Sequence, residues 1–280
     1  MSRLHVVHTT TFEYSGPVAT SYNEARMTPV SDSHQSVLSA GLDIDPATWR
    51  NDFVDYWGTA TTVFESVRPH TALTISAVSR VEVHPPTLPE PMGWDVVRST
   101  VARDAMAEFL EVSATTAAPD DLVQVARAAA DRAGSTPDAV AREVCAAVNR
   151  GVEYVPGVTQ VQSTAAHAWS QRKGVCQDMA HLSVGALRVV GIPARYVSGY
   201  LHPAGTGEVG RTVTGESHAW VEWWVGHWVG HDPTNDIDVG EHHVVLGRGR
   251  EYQDVAPVRG IFAGGATQAL DVQVRITREA

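Results

Sequence analysis

The reading of the fold turns on Arg172-Lys173-Gly174-Val175-Cys176-Gln177-Asp178-Met179-Ala180-His181, RKGVCQDMAH. From Gln177 onward, Met179, Leu182, Ala186 and Val190 recur every three or four residues. That is the period of a helix with one apolar face. Gly191 followed by Ile192-Pro193 supplies its stop. The pattern predicts a helix over residues 177–190 with Cys176 at its N-terminal end. Unsatisfied N–H groups and the helix dipole favour a thiolate over a thiol there. Gly174 is expected to let the backbone turn sharply and to leave room for a substrate. A structural cysteine needs no such position, whereas a nucleophile does.

Outward from this helix the chain divides by character. Downstream, residues 194–201 (ARYVSGYL), 217–225 (SHAWVEWWV) and 227–231 (HWVGH) read as strands. Upstream, residues 100–112 and 119–133 look helical, and Thr136-Pro137-Asp138 opens another helix with Thr136 as N-cap. Cys145 lies in that helix beside its apolar face, where a small core residue is expected. Farther upstream, residues 4–14, 36–44 and 72–83 alternate in the manner of antiparallel strands. Residues 84–94 (HPPTLPEPMGW) carry four prolines and mark a boundary. Helices followed by consecutive strands indicate an α+β fold.

Composition narrows the function. The 280 residues are 43% hydrophobic, enough for a sizeable core, and the formal net charge of -11 argues against a nucleic-acid partner. Lys173 is the sole lysine, which reads first as compositional bias. Two cysteines make no disulfide framework for a chain this long. No signal-peptide core and no membrane-length apolar run is found, so no membrane partner is expected and a cytoplasmic location is.

A thiolate needs a proton shuttle close in space. His218, in GESHAWVEWWV, starts a strand after the glycine-rich loop 205–215, and alternation places it on one face with Trp220 and Glu222. Asp232, in HDPTND, follows the next strand, where Pro233 fixes a turn. Neighbouring antiparallel strands would set Asp232 beside His218, as the group that orients the ring and stabilises its cation.

Four motifs in this order carry a resemblance: Gly174–Asp178 (GVCQD), residues 191–200 (GIPARYVSGY), residues 217–222 (SHAWVE) and residues 231–235 (HDPTN). Together they resemble the bacterial transglutaminase-like proteins of the papain-like cysteine-enzyme superfamily. Residues 249–260 are similar to that family's C-terminal signature. The resemblance implies an N-terminal antiparallel β domain at 1–84, a proline-rich linker at 85–94 and a transglutaminase-like core at 95–280, with helices packed on an antiparallel sheet. It also implies a Cys176–His218–Asp232 triad that cleaves a peptide or protein amide through a thioester, with no cofactor. Oxyanion donors would be the Cys176 N–H and, upstream, Gln162. The animal enzymes carry tryptophan there, and its absence tilts the expectation toward hydrolysis over crosslinking. Tyr154 is a further candidate for the cleft. Trp220, Trp223, Trp224 and Trp228 read as channel walls or as strand core. His181 is expected on the helix surface.

Two other readings compete. His218, His227, His231, His242, His243 and Cys176 offer zinc-ligand chemistry, but no H-E-x-x-H and no C-x-x-C is present. A catalytically silent papain-like module that binds a peptide or partner is the main alternative.

Overall fold

The computed structural model describes residues 1–203, 208–264 and 267–280. Part of the glycine-rich loop 205–215 therefore lies outside the described residues. The chain forms β1 (Ser2–Val18), β2 (Thr20–Ala25), β3 (Gln35–Asp45), β4 (Trp49–Val54), β5 (Ala60–Ser66) and β6 (His70–Val83). Residues 84–93 adopt neither helix nor strand. Next come α1 (Trp94–Val97), α2 (Thr100–Ala105), α3 (Asp120–Ala130), α4 (Pro137–Gly151), β7 (Glu153–Tyr154), α5 (Ala165–Gln171), β8 (Lys173–Gly174) and α6 (Cys176–Val189). The chain ends with β9 (Ala194–Leu201), β10 (Thr212–Trp224), β11 (Trp228–Asp232), β12 (Ile237–Asp238), β13 (His243–Gly249), α7 (Tyr252–Val255), β14 (Val258–Ala263) and β15 (Gln268–Arg278). The architecture is α+β: an N-terminal antiparallel β domain and a core of helices packed on the antiparallel continuation of one of its sheets.

The N-terminal strands form a sandwich. One sheet holds β1, β6 and β3, and the other holds β2, β5 and β4. Tyr14, Val18, Met27, Phe64, Leu73 and Ile75 fill the space between them. The chain's last two strands return to this domain: β14 pairs with β2, and β15 pairs with β1 along its length.

The core is built around α6. Every residue from Asp178 to Arg188 is buried, as expected of a helix packed on all sides. Leu122, Val140, Val144 and Val148 from α3 and α4 cover it on one side, and Val221 and Trp223 of β10 meet it on the other. A Cβ at Gly185 would lie 1.7 Å from the Thr116 carbonyl oxygen, so only glycine lets that loop cross the helix. Thr136 caps α4 through the Ala139 N–H at 3.2 Å, with Pro137 in the first turn. The helix expected over 100–112 is instead α2 followed by one short 3-10 turn. There Phe109 turns to pack on Trp57 and Trp228.

Strand β10 joins the two halves. Its residues 212–215 pair with β15, and its residues 216–223 pair with β9. Leu4, Val6 and Val81 pack against Tyr200, Val244 and Leu246 across the junction. Gln35 clamps Val245 with two hydrogen bonds of 2.8 Å. An apolar junction sharing a continuous strand resists relative motion of the two parts.

Candidate active site

Cys176 is the first residue of α6, after an extended Val175. Asp178, two residues on, turns back and accepts the Val175 N–H at 2.8 Å and the Thr159 hydroxyl at 2.7 Å. This fixes both the helix start and the facing loop. Burial pushes the Asp178 carboxyl up, against the pull of these two donors. A Cβ at Gly174 would stand 2.9 Å from Asp178. Gly174 thus serves close approach; the left-handed residue is Arg172, at φ 54°. The parallel pair β7–β8 sets Tyr154 beside Gly174. The first-turn amides of α6, those of Cys176 and Gln177 among them, have no intrahelical acceptor.

His218 lies on β10 opposite Gly199. The β10–β11 register pairs Val221 with His231, so Asp232 falls on the same face as Trp220 and His218. His218 Nε2 meets Asp232 Oδ2 at 2.8 Å. The other ring nitrogen, Nδ1, is not taken up by Asp232, and Cys176 lines the same cleft as His218. Burial alone would pull the His218 pKa down. The bond to Asp232 and the electrostatic pull of the Cys176 and Asp232 side chains outweigh it and lift the ring to about 10.

Asp232 is fully buried. Its Oδ1 accepts the Thr234 and Asn235 backbone N–H groups at 2.9 and 3.3 Å, and Oδ2 accepts the Asn235 side chain at 2.7 Å. Burial opposes its charge, but His218 and Asn235 hold it well below the ordinary carboxylate range. His243 Nε2 contributes from 3.7 Å, too far for a hydrogen bond. The carboxylate is saturated, so its orientation is set before any substrate binds.

A cleft of about 380 Å³ opens over these groups, lined by Cys176, His218, Tyr154, Ser198, Glu216 and Tyr252 among others. Tyr154 lines this cleft, with its hydroxyl donating to Glu216 at 3.1 Å. Burial, then the Cys176 and Glu216 charges, push that hydroxyl up. Two candidates fall elsewhere. Trp220 is fully buried with Val197, Val239 and Val245 and is no cleft wall. It shares the His218 face, but that face opens only at His218. Gln162 is exposed on a turn and lines an adjoining cavity instead of the one holding Cys176.

His181 is fully buried, not on the surface. It accepts the Tyr252 N–H at 3.1 Å, and burial, then Arg188, hold it down at about 3. Cys145 is buried, and burial pushes its thiol up to about 12. His231 spends both ring nitrogens on Asp238 and Asp236, at 3.0 and 3.2 Å. Among the described residues no group of three or more His, Cys, Asp or Glu is arranged to hold a metal ion.

Sequence reasoning missed Gln177, Ser198, Glu216 and Tyr252, which also line the cleft. Gln177 and Glu216 were detectable as polar neighbours of Cys176 and His218; Ser198 and Tyr252 arrive by pairing and packing.

Residues 4–82 match the bacterial transglutaminase-like N-terminal region, and residues 124–233 match the transglutaminase-like superfamily. The uncharacterized protein ML0607 of Mycobacterium leprae is 41% identical over 280 residues, spanning 99% of both chains. The chain belongs to the bacterial transglutaminase-like family. Another relative of this transglutaminase-like protein is uncharacterized protein Rv2569c of Mycobacterium tuberculosis, 31% identical over 98% of this chain and 92% of that one. The fold is shared with a Cytophaga hutchinsonii protein solved as a "Putative Cysteine Protease". That match has a TM-score of 0.77 and 20% identity, over 99% of this chain and 91% of the other.

Proposed function

We propose that this protein is a cysteine-dependent amide hydrolase that works through a thioester. The His218–Asp232 bond of 2.8 Å, in a cleft that His218 and Cys176 line together, carries the reading. His218 Nδ1 takes the thiol proton, and Asp232 stabilises the resulting imidazolium. The Cys176 sulfur then adds to an amide carbonyl of a peptide or protein, and the oxyanion forms beside the Cys176 N–H. The intermediate collapses, the C–N bond breaks, and His218 delivers its proton to the departing amine. Water next adds to the thioester carbonyl while His218 accepts its proton. Release of the carboxylic acid returns the proton to the Cys176–His218 pair. An amine in place of water would give transamidation. Glu216, Ser217 and Gln177 line the cleft with polar groups that admit water, which favours hydrolysis.

The test is direct. A glutamine peptide, with and without a primary amine, is incubated with enzyme and the products are weighed by mass spectrometry. Deamidation or chain cleavage lost in Cys176→Ala and in His218→Ala is expected. Amine incorporation outpacing water would overturn hydrolysis. A Cys176 that iodoacetamide labels no faster than a free thiol would overturn the enzyme reading and leave a binding module.

A further inference from the structure

A second cavity, of about 410 Å³, lies between the N-terminal β domain and the core. It falls in the range of ~300–1,000 Å³ typical of ligand sites. It adjoins the cleft of Cys176, because Ser217, Tyr252, Pro257 and Val272 line both. Its floor is a ladder between β1 and β15: Thr10 pairs with Val272, Phe12 with Leu270 and Tyr14 with Gln268. The same face continues under Cys176 as Val274, whose partner on β10 is Gly215, three residues before His218. One sheet surface thus runs from the N-terminal domain to the candidate active site.

The lining is uncharged in effect. No carboxylate lines the cavity among the described residues. Its one guanidinium, Arg259, is paired with Glu24 at 2.8 Å. His8 is buried between the Tyr200 hydroxyl at 2.9 Å and the Thr10 hydroxyl at 3.2 Å. Burial holds it neutral, at about 4. Leu270 and Val272 are 58% and 45% exposed, unusual for apolar side chains on the wall of a cavity.

We propose that this cavity is a specificity subsite, built by the N-terminal β domain, for an uncharged aromatic or aliphatic side chain on the acyl half of the substrate. It rests on the reading of Cys176 as the acylating nucleophile. The acyl half stays on sulfur through both chemical steps while the amine departs between them, so it is the half that gains from a dedicated pocket. A free charge placed there would be desolvated with no partner.

Peptidyl chloromethyl ketones test this without a known substrate, since they alkylate an active-site cysteine and present acyl-side residues to the subsite. Probes carrying Phe, Leu, Asp or Lys at either of the two residues nearest the ketone are compared by the rate of Cys176 modification. Phe or Leu at one position is expected to label about tenfold or more faster than Asp or Lys there. In Leu270→Lys, on an exposed strand position, the Asp probe should gain and the Phe probe lose at that same position. A misfolded variant cannot produce that gain. Equal rates across probes in the wild type, or an unchanged ranking in Leu270→Lys, would overturn the subsite while leaving the nucleophile standing. Labelling of Cys176 no faster than a free thiol, by these probes and by iodoacetamide alike, removes the nucleophile and the subsite with it.

Discussion

Replacing Asp232 by Asn keeps the shape of the side chain and removes its charge. The amide has one orientation open to it. With its oxygen at the Oδ1 position, where the Thr234 and Asn235 N–H groups point, its NH₂ faces His218 Nε2 and the Asn235 side chain, whose amide must turn its oxygen inward to accept. Nε2 then has to accept, and the ring proton moves to Nδ1, the nitrogen that the proposed mechanism needs free for the thiol proton. No lone pair remains there for the thiol proton. One charge-assisted hydrogen bond of this kind contributes about 1.5–3 kcal/mol. That corresponds to roughly 10–150-fold in the population of the reactive pair. The ring, held at about 10 in the wild type, falls toward its ordinary 6.5. Iodoacetamide labelling, resolved by mass, reads this out, with buried Cys145 as the residue that stays unlabelled in folded protein. At pH 6 Asp232→Asn should label Cys176 about 10–150-fold more slowly than the wild type. Near pH 10 the imidazolium is lost in the wild type too, and the two rates should converge. Equal rates at pH 6 would refute the argument, because Asp232 would then do nothing for the His218 proton.

The remaining expectations concern the scaffold of the site. Glu222 is buried between Arg195 and Arg248; burial opposes its charge, and the two guanidiniums overcome it and hold it at about 2. A depressed carboxylate stabilises above its unfolded value of 4.5 and loses that stability as pH falls through about 2. Glu222→Gln should therefore cost about 3–5 kcal/mol at pH 7, by thermal or denaturant unfolding, and the difference from wild type should shrink toward pH 2. His181, held down at about 3, has the opposite proton balance from His218. Its neutral form is lost to the unfolded state as pH falls below 6.5, so a His181 variant that folds should show a flatter stability profile between pH 6.5 and 3. Gly185→Ala places a methyl against the Thr116 carbonyl and should destabilise by about 1–3 kcal/mol or more, seen as a fall in Tm. Asp178→Ala removes the acceptor for Val175 and Thr159 and should cost about 1 kcal/mol, with slower labelling of Cys176 as the helix start frays.

What could be read in the sequence was what local periodicity encodes. The helix of Cys176, its stop at Gly191 and the strand of His218 all follow from spacing within some ten residues. Asp232 followed from one step more, the antiparallel return of an adjacent strand. Trp220 shows where alternation stops helping. It correctly gives the face shared with His218, but depth along a central strand is set by what covers the strand. Gln162 shows a second limit: a turn has no period, so its side chains cannot be aimed from sequence.

The least legible feature is the one that joins the halves. Pairing of β1 with β15 links residues more than 250 positions apart, such as Glu13 with Ala269, and nothing in either strand names its partner. Yet that pairing sets the position of His218. β15 holds the first four residues of β10, β9 holds the rest, and His218 emerges where the strand passes from one neighbour to the other. On the β15 side, residues 216–220 have no strand partner among the described residues before β11 takes over at Val221. A cleft forms there because a strand with one unpaired edge leaves its side chains and amides open. The N-terminal domain is thus part of the candidate site's construction, since it ends one pairing of β10 a few residues short of the histidine.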